Sequence, residues 1–170
     1  GDARRAYQDF VAAGGRCEPW APEVLETDVI VDAIFGTGLV REVSGELASV
    51  IAAANGAGNP IVAVDIPSGL HADTGAVLGI AARAALTVTF IGRKLGCYLG
   101  AGPEHVGRLQ FDDLAVPLEA YATQLPAARL LGEADVVAAL PRRRHGAHKG
   151  DHGHVLVVGG GPGMPGAARL

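Results

Sequence analysis

Apolar residues recur in this chain with two different periods, and the alternation of the two predicts an α/β fold. Nearly continuous apolar runs at residues 28–35, 60–66 and 86–91 are typical of strands buried on both faces of a parallel sheet. Apolar residues at helical spacing predict amphipathic helices over residues 3–13 and 47–54. Strand, helix and strand in this order indicate a parallel sheet with crossover connections.

Two shorter segments complete the first part of the chain. The alanine-rich residues 81–85 predict a short helix before the third strand. Residues 107–114 alternate apolar and polar side chains, which predicts a more exposed strand that Pro117 closes. We therefore expect a Rossmann-like α/β domain with helices on both faces of a parallel sheet.

The pattern changes in the last third of the chain. It loosens over residues 116–141, as in a connection between domains. Residues 153–160 then predict a new strand that runs into a glycine turn and a helix. We expect one domain over residues 1–122, and a linker with the first strand of a second domain over residues 123–170.

Composition narrows the class of protein. Of 170 residues, 49% are hydrophobic and 19% charged, and no apolar run is long enough to cross a bilayer, so we expect no membrane partner. The formal charge of −4 offers no basic field for nucleic acid, and any anionic ligand must be held locally. Cys17 and Cys97 provide no disulfide framework, which suits a reducing cytoplasm.

Two acids stand near the ends of successive buried strands. Asp32 and Asp65 are 33 positions apart, and the carboxyl ends of parallel strands form the ligand crevice of an open sheet, so both could face one pocket. A carboxylate buried there needs a cation, a hydroxyl or backbone amides close to it to offset the cost of desolvation. The alternative is that each acid caps the loop that follows it. Ser68 offers a hydroxyl that, with Asp32, would suit a hard cation; an ordinary turn serine is the alternative.

Gly-rich loops and a lysine follow these acids. Residues 36–38 and 66–69 let backbone amides approach a phosphate without obstruction by side chains. Lys94 follows the third strand, where it could offset a phosphate or donate a proton, or could be a solvated surface lysine.

Two features of the last segment suggest sites that other observations argue against. His145, His148, His152 and His154 invite a zinc interpretation, but glycines and basic residues among them favour a flexible basic segment. Residues 161–166 have the G-x-G-x-x-G spacing of dinucleotide binding, which leaves a flavin or NAD oxidoreductase open. In register with the preceding strand, however, Met164 stands where the third glycine should pack.

Taken together, these segments resemble the bifunctional bacterial enzymes of the YjeF type that repair hydrated NADH and NADPH. Three blocks look like the N-terminal epimerase domain of that family: DVIVDAIFGTGLVREVSG at 28–45, IVAVDIPSGLHADTG at 61–75 and TVTFIGRKLG at 87–96. HKGDHGHVLVVGGGPGMPGAA at 148–168 looks like the opening of its C-terminal dehydratase domain. The order of the blocks is more specific than any block alone.

The resemblance implies a site and its ligands. Asp32 and Ser68 would contribute ligands to a potassium ion, and Asp65 would contact the hydrated nucleotide. The loop after Asp32 would bind the same substrate through Gly36, Thr37, Gly38, Leu39, Val40, Arg41 and Glu42. The resemblance also implies a ribokinase-like second domain that dehydrates the S form with ADP or ATP.

An acid/base near the hydroxyl of the hydrated ring would catalyse the interconversion of its R and S forms. We assign this role to Asp65, with Lys94 as a helper. The family's GxGNNGGDG phosphate loop is expected before Gly1, and His71 stands where asparagine is usual. We therefore expect the 170 residues to be a fragment that is inactive by itself. A non-catalytic nucleotide- or partner-binding module is the alternative, and the sequence leaves open whether the protein is a homo-oligomer.

Overall fold

The fold is a parallel sheet with its strands in sequence order. A computed structural model describes residues 2–140 and, beyond them, residues 145, 146, 148, 150, 154, 156–158 and 166. The strands are β1 (Ile30–Asp32), β2 (Ile61–Val64), β3 (Leu86–Phe90) and β4 (Arg108–Asp112). Each pairs in parallel with the next in the order β1-β2-β3-β4, which confirms the α/β prediction.

The described residues also form helices. They are α1 (Asp2–Ala12), α2 (Gly45–Gly56), α3 (Gly102–His105) and α4 (Glu133–Ala139), with 3₁₀ turns at Pro22–Leu25, Leu95–Cys97 and Leu118–Tyr121. The predicted helices over 3–13 and 47–54 are confirmed as α1 and α2. The predicted exposed strand is confirmed as β4, most of which is exposed. Among the described residues, no helix is long and apolar enough to cross a membrane.

The first strand differs from its prediction. We expected residues 28–35 to be buried on both faces, but β1 has only three residues and lies at the edge of the sheet. Val31 keeps 65% of its surface exposed, whereas Asp32 is buried. The apolar run reflects one covered face and one open face, which periodicity cannot distinguish in so short a segment.

The predicted helix over residues 81–85 is wrong. The segment is irregular, and its backbone amides bond to distant carbonyls: Ala82 N to Ser68 O at 2.8 Å, Ala84 N to His105 O at 2.8 Å and Ala85 N to Ile61 O at 2.8 Å. Alanine has high helix propensity, but these tertiary hydrogen bonds override it.

The core of the first unit consists of small clusters of buried residues packed around the sheet. One cluster joins Ile66, Leu70, Ala72, Ala81, Cys97 and Val106. A second joins Leu39, Val43, Ile51 and Ala82. Because Ile66 and Leu70 lie on either side of Ser68 in sequence, their packing fixes the backbone on which Ser68 stands.

The chain separates into two compact units, Gly1–Leu125 and Pro126–Leu170. In the second, Asp135 accepts hydrogen bonds from Gly132 N and Arg129, which hold the pKa of its carboxyl below the usual range. Residues 153, 155, 159 and 160 of the strand predicted over 153–160, and all but residue 166 of the glycine motif at 161–166, lie outside the described residues. The assignment of a second domain therefore stays a prediction.

Candidate functional site

The candidate site lies at the carboxyl end of β1, β2 and β3. Asp32, the last residue of β1, pairs in register with Ala63 of β2, so Asp65 follows two residues beyond that pair. Thr89 and Phe90 end the neighbouring strand β3. This edge is where ligands bind in open parallel sheets.

Asp32 and Ser68 form one buried cluster. The Ser68 hydroxyl donates to Asp32 Oδ1 at 2.6 Å, and the Ser68 amide donates to Asp32 Oδ2 at 2.8 Å. The same hydroxyl oxygen accepts from Phe35 N at 2.8 Å, and Phe35 O lies 3.4 Å from it. Both side chains are almost fully buried, with Asp32 5% exposed and Ser68 0%. Ser68 is therefore no ordinary exposed turn serine.

Among the described residues, only neutral groups donate hydrogen bonds to the Asp32 carboxylate. Its hydrogen-bond donors are the hydroxyl and amide of Ser68 and the amide of Ile34. Neither ion pair found among the described residues involves Asp32. A buried carboxylate without a counter-charge favours a cation nearby. The oxygens of Asp32, Ser68 and Phe35 are the donor type that hard cations prefer, so the cluster fits a potassium ion.

Asp65 lies in a strained turn directly after β2. Its backbone φ is 72°, a left-handed conformation that is uncommon for residues other than glycine and costs about 1–3 kcal/mol. Its amide donates to Val88 O at 2.7 Å, and Ile66 N donates to Val64 O at 3.0 Å, which closes a tight turn. The neighbouring strand thus holds Asp65 in this conformation, which presents its side chain to β3.

Lys94 contacts the Asp65 carboxylate directly. Its ammonium donates to Asp65 Oδ1 and, at 2.8 Å, to Phe90 O. The Lys94 side chain is only 15% exposed and that of Asp65 26%. The alternative of a solvated surface lysine is therefore wrong. Burial raises the pKa of the nearby Cys97 thiol from 9.0 to about 11, although the Lys94 ammonium acts in the opposite direction.

The loop after Asp32, residues 36–42, is exposed at every position but one. Gly36, Thr37 and Gly38 are exposed, as are Val40, Arg41 and Glu42. Leu39 is the exception, because its side chain is buried against Val43, Ile51 and Ala82. Leu39 could therefore meet a ligand only through its backbone, and it anchors the loop to the core.

The two acids do not line the same apolar cleft beside the sheet. This cleft, of about 360 Å³, is lined by Asp32 and by apolar residues such as Trp20, Leu25 and Val50, but Asp65 is not in its lining. Asp32 groups with Ser68, and Asp65 groups with Lys94. The segment Asp65–Ser68 connects the two groups through only two intervening residues.

Sequence reasoning missed three contributors to these groups. Phe35 acts through its backbone, which contacts Ser68, and Phe90 through the carbonyl that accepts from Lys94. Thr89 acts through its hydroxyl, which donates to Asp65 Oδ1 at 3.3 Å. The residue type does not reveal a backbone contact, so the sequence could not identify Phe35 and Phe90. The sequence did contain a signal for Thr89, since threonines alternate with apolar residues in an otherwise buried strand.

Comparison with known sequences shows a family and several relatives. The sequence profile of the family described as YjeF-related protein N-terminus matches residues 1–96. The chain is 44% identical over 149 residues to the bifunctional NAD(P)H-hydrate repair enzyme Nnr of Coxiella burnetii, which covers 88% of the chain and 30% of that protein. It is 38% identical over 173 residues to the enzyme of the same name from Escherichia coli, with 99% of the chain and 33% of that protein covered.

A shorter relative matches the same region. The NAD(P)H-hydrate epimerase of Limosilactobacillus fermentum is 50% identical over 84 residues, which covers 49% of this chain and 40% of that protein. The chain spans about a third of the length of the bifunctional relatives it matches. Because the family profile covers more than half of the chain, the chain belongs to the YjeF-related protein N-terminus family.

Proposed function

We propose that this chain carries an epimerase site that interconverts the R and S forms of hydrated NADH and NADPH. The observation that carries the proposal is the Asp65–Lys94 pair, held in a strained turn at the carboxyl end of the sheet. The names of the relatives, which describe epimerisation and repair of NAD(P)H hydrates, support this substrate.

The proposed chemistry needs proton transfer at one carbon. The lone pair of the ring nitrogen expels the hydroxyl group as water, once an acid has supplied a proton, and leaves an iminium ion. Water then adds to either face of the ring and returns a proton to the base. A positioned carboxyl group can serve in both steps, and proton transfer of this kind contributes about 10²–10⁴-fold to rate.

Each residue of the site then has a proposed role. Asp65 is the acid/base, and the Lys94 ammonium balances its charge and fixes its position. Asp32 and Ser68 would hold the potassium ion, whose chemistry is electrostatic: a fixed positive charge beside the loop. Residues 36–42 would bind the phosphates and the nucleotide, with exposed backbone at Gly36 and Gly38 and a cation at Arg41.

The proposal extends to the longer proteins of this family. Bifunctional relatives cover the whole of this chain, so we propose that the complete protein also dehydrates the S form with ADP or ATP. The two free cysteines provide no disulfide framework, which favours a protein of the reducing cytoplasm. A homo-oligomer would be compatible with the proposal, which does not depend on it.

Replacement of Asp65 tests the proposed function. We expect the complete open reading frame that carries these residues to accelerate the interconversion of the two hydrates, measured by chromatography of the two forms. Asp65→Asn should lower kcat by about 100-fold or more, because asparagine tolerates the left-handed conformation but transfers no proton.

Asp112→Asn is the matched control. Asp112 also ends a parallel strand and accepts a backbone hydrogen bond, from Leu114 N at 2.7 Å, but it is exposed at the end of β4. Its replacement should leave kcat unchanged. Full activity of the Asp65→Asn variant would exclude the assigned role, and binding of hydrate without turnover by the wild type would favour the binding module.

A further inference from the structure

Hydrogen bonds to the Asp65 carboxylate are distributed unequally between its two oxygens. The hydroxyl of Thr89 donates to Oδ1 at 3.3 Å, the amide of Phe90 donates to it at 3.0 Å, and the Lys94 ammonium donates to it as well. Among the described residues, every hydrogen bond to this carboxylate ends on Oδ1. The other oxygen, Oδ2, has no donor there, and the side chain is 26% exposed.

Three donors on one oxygen restrict how the carboxylate can rotate. Two of them, Thr89 and Phe90, are successive residues of β3, and Lys94 is itself fixed by Phe90 O at 2.8 Å. Two of the three donors therefore belong to the end of β3, and the third is hydrogen-bonded to it. Hydrogen bonds to a charged group are stronger than those between neutral groups, so rotation that breaks them is disfavoured.

From this geometry we infer that the two oxygens of Asp65 have separate roles and that Thr89 is a positioning residue for the reaction. Oδ1 anchors the carboxyl group, and Oδ2 is the oxygen that exchanges the proton. Oδ2 gives its proton to the departing hydroxyl group as the carbon–oxygen bond breaks. It takes a proton from the incoming water as that bond re-forms. The inference rests on the proposed epimerase function.

The partner of its hydroxyl sets Thr89 apart from a residue that only supports the fold. Its side chain is fully buried, and its hydroxyl is directed at the one carboxylate that we assign to chemistry. Thr87 stands two residues earlier on the same face of β3 and is equally buried, but its hydroxyl donates to Val106 O at 2.8 Å. The chain thus offers two matched threonines, only one of which touches Asp65.

This pair of threonines provides the experiment. Thr89→Val, Thr89→Ser and Thr87→Val would be compared in the complete open reading frame, with hydrated NADH as substrate. We expect Thr89→Val to lower kcat about tenfold with KM changed by less than about twofold, because a misplaced carboxyl group slows proton transfer without weakening binding. Thr89→Ser restores the hydroxyl and should recover most of kcat.

Thr87→Val should lose similar thermal stability while kcat stays near the wild-type value, which separates positioning from folding. If valine disrupts packing at position 89, comparing the kcat of Thr89→Ala with that of Thr89→Ser decides the same question. If Thr89→Val and Thr89→Ala keep the wild-type kcat, or if Thr87→Val loses as much kcat as they do, this inference is overturned while the proposed function stands. Absence of turnover in the wild type would overturn the proposed function, and this inference with it.

Discussion

At the scale of single residues, the charges of the two carboxylates are balanced in different ways. Asp65 has an ammonium group in contact with one oxygen, whereas the donors to Asp32 are a hydroxyl and backbone amides. A buried carboxylate that lacks a fixed counter-charge can accept a mobile one. This difference is why we propose the cation site at Asp32 and the proton transfer at Asp65.

Ser68→Ala tests the Asp32 cluster. The change leaves Phe35 N without its acceptor and removes the hydroxyl donor to Asp32, so we expect a loss of about 2 kcal/mol in the free energy of unfolding. Potassium should raise the Tm of the wild type, because a ligand of the native state stabilises it, and should have a weaker effect on the variant. Thermal unfolding with and without potassium measures both.

Ser49→Ala is the control for that experiment. Ser49 lies exposed on α2, with its hydroxyl 3.4 Å from Gly45 O, so its replacement should change stability by less than about 0.5 kcal/mol. An equal response of the wild type and Ser68→Ala to potassium would contradict the proposed ligand role of Ser68.

Sequence reasoning at this scale found the acids but not all of their partners. The spacing of Asp32 and Asp65 after buried runs was sufficient to bring both to the same edge of the sheet. It could not show that Lys94 is partly buried, since most lysines are solvated. Nor could it pair Thr89 with Asp65, because that contact depends on the register of β3 against β2.

At the scale of elements, one glycine controls the turn that carries Ser68. Gly69 has φ of +91°, and a Cβ built on it would collide with the backbone of Ile80 and Ala81. Ala82 N also donates to Ser68 O in this region, so the two segments cannot separate without loss of a hydrogen bond. Only glycine tolerates both the left-handed conformation and the close approach of the Ile80 and Ala81 backbone.

We therefore expect Gly69→Ala to lower the free energy of unfolding by about 3 kcal/mol, through strain and displacement of the 80–82 segment. Chemical denaturation provides the measurement. Gly56→Ala is the control, since Gly56 ends α2 with open space around it and should gain up to about 0.5 kcal/mol. A Gly69→Ala protein as stable as the wild type would exclude this account of the turn.

The order of elements was predictable because hydrophobic periodicity reports local burial. The predictions failed where distant contacts decide. Residues 81–85 have the composition of a helix, but their amides are used by Ser68, His105 and Ile61. Residues 28–35 were expected to be buried on both faces, but β1 lies at the edge of the sheet. Its position depends on which strands lie beside it, and the pattern of one segment does not contain that information.

At the scale of the whole molecule, the reactivity of the two cysteine thiols reports on the unfolding of the first unit. Cys17 is exposed, whereas Cys97 is 2% exposed in the cluster with Ile66 and Leu70. Because burial raises the pKa of Cys97 to about 11, its thiol stays protonated and unreactive at neutral pH. We expect one thiol to react rapidly with a disulfide reagent, and the second only upon unfolding.

Cys17→Ser is the control and should leave no rapidly reacting thiol. Raising the pH from about 7 to about 9 should not make Cys97 react rapidly, since its pKa lies higher still. The unfolded thiol ionises near 9.0 and the folded thiol near 11, so this group's contribution to stability is complete below 9 and declines between the two values. Two rapidly reacting thiols in the wild type would contradict the buried position of Cys97.

The four residues Asp65–Ser68 also limit how this protein can evolve. They join the cluster proposed to bind a cation to the carboxylate proposed to transfer a proton, and Pro67 restricts the backbone between them. An inserted or deleted residue here would separate two groups that selection must keep in register. By contrast, the exposed turn at residues 113–115, after β4, can change its length without moving either group. Variation among descendants of this gene should therefore accumulate in that turn while the spacing of Asp65 and Ser68 stays fixed.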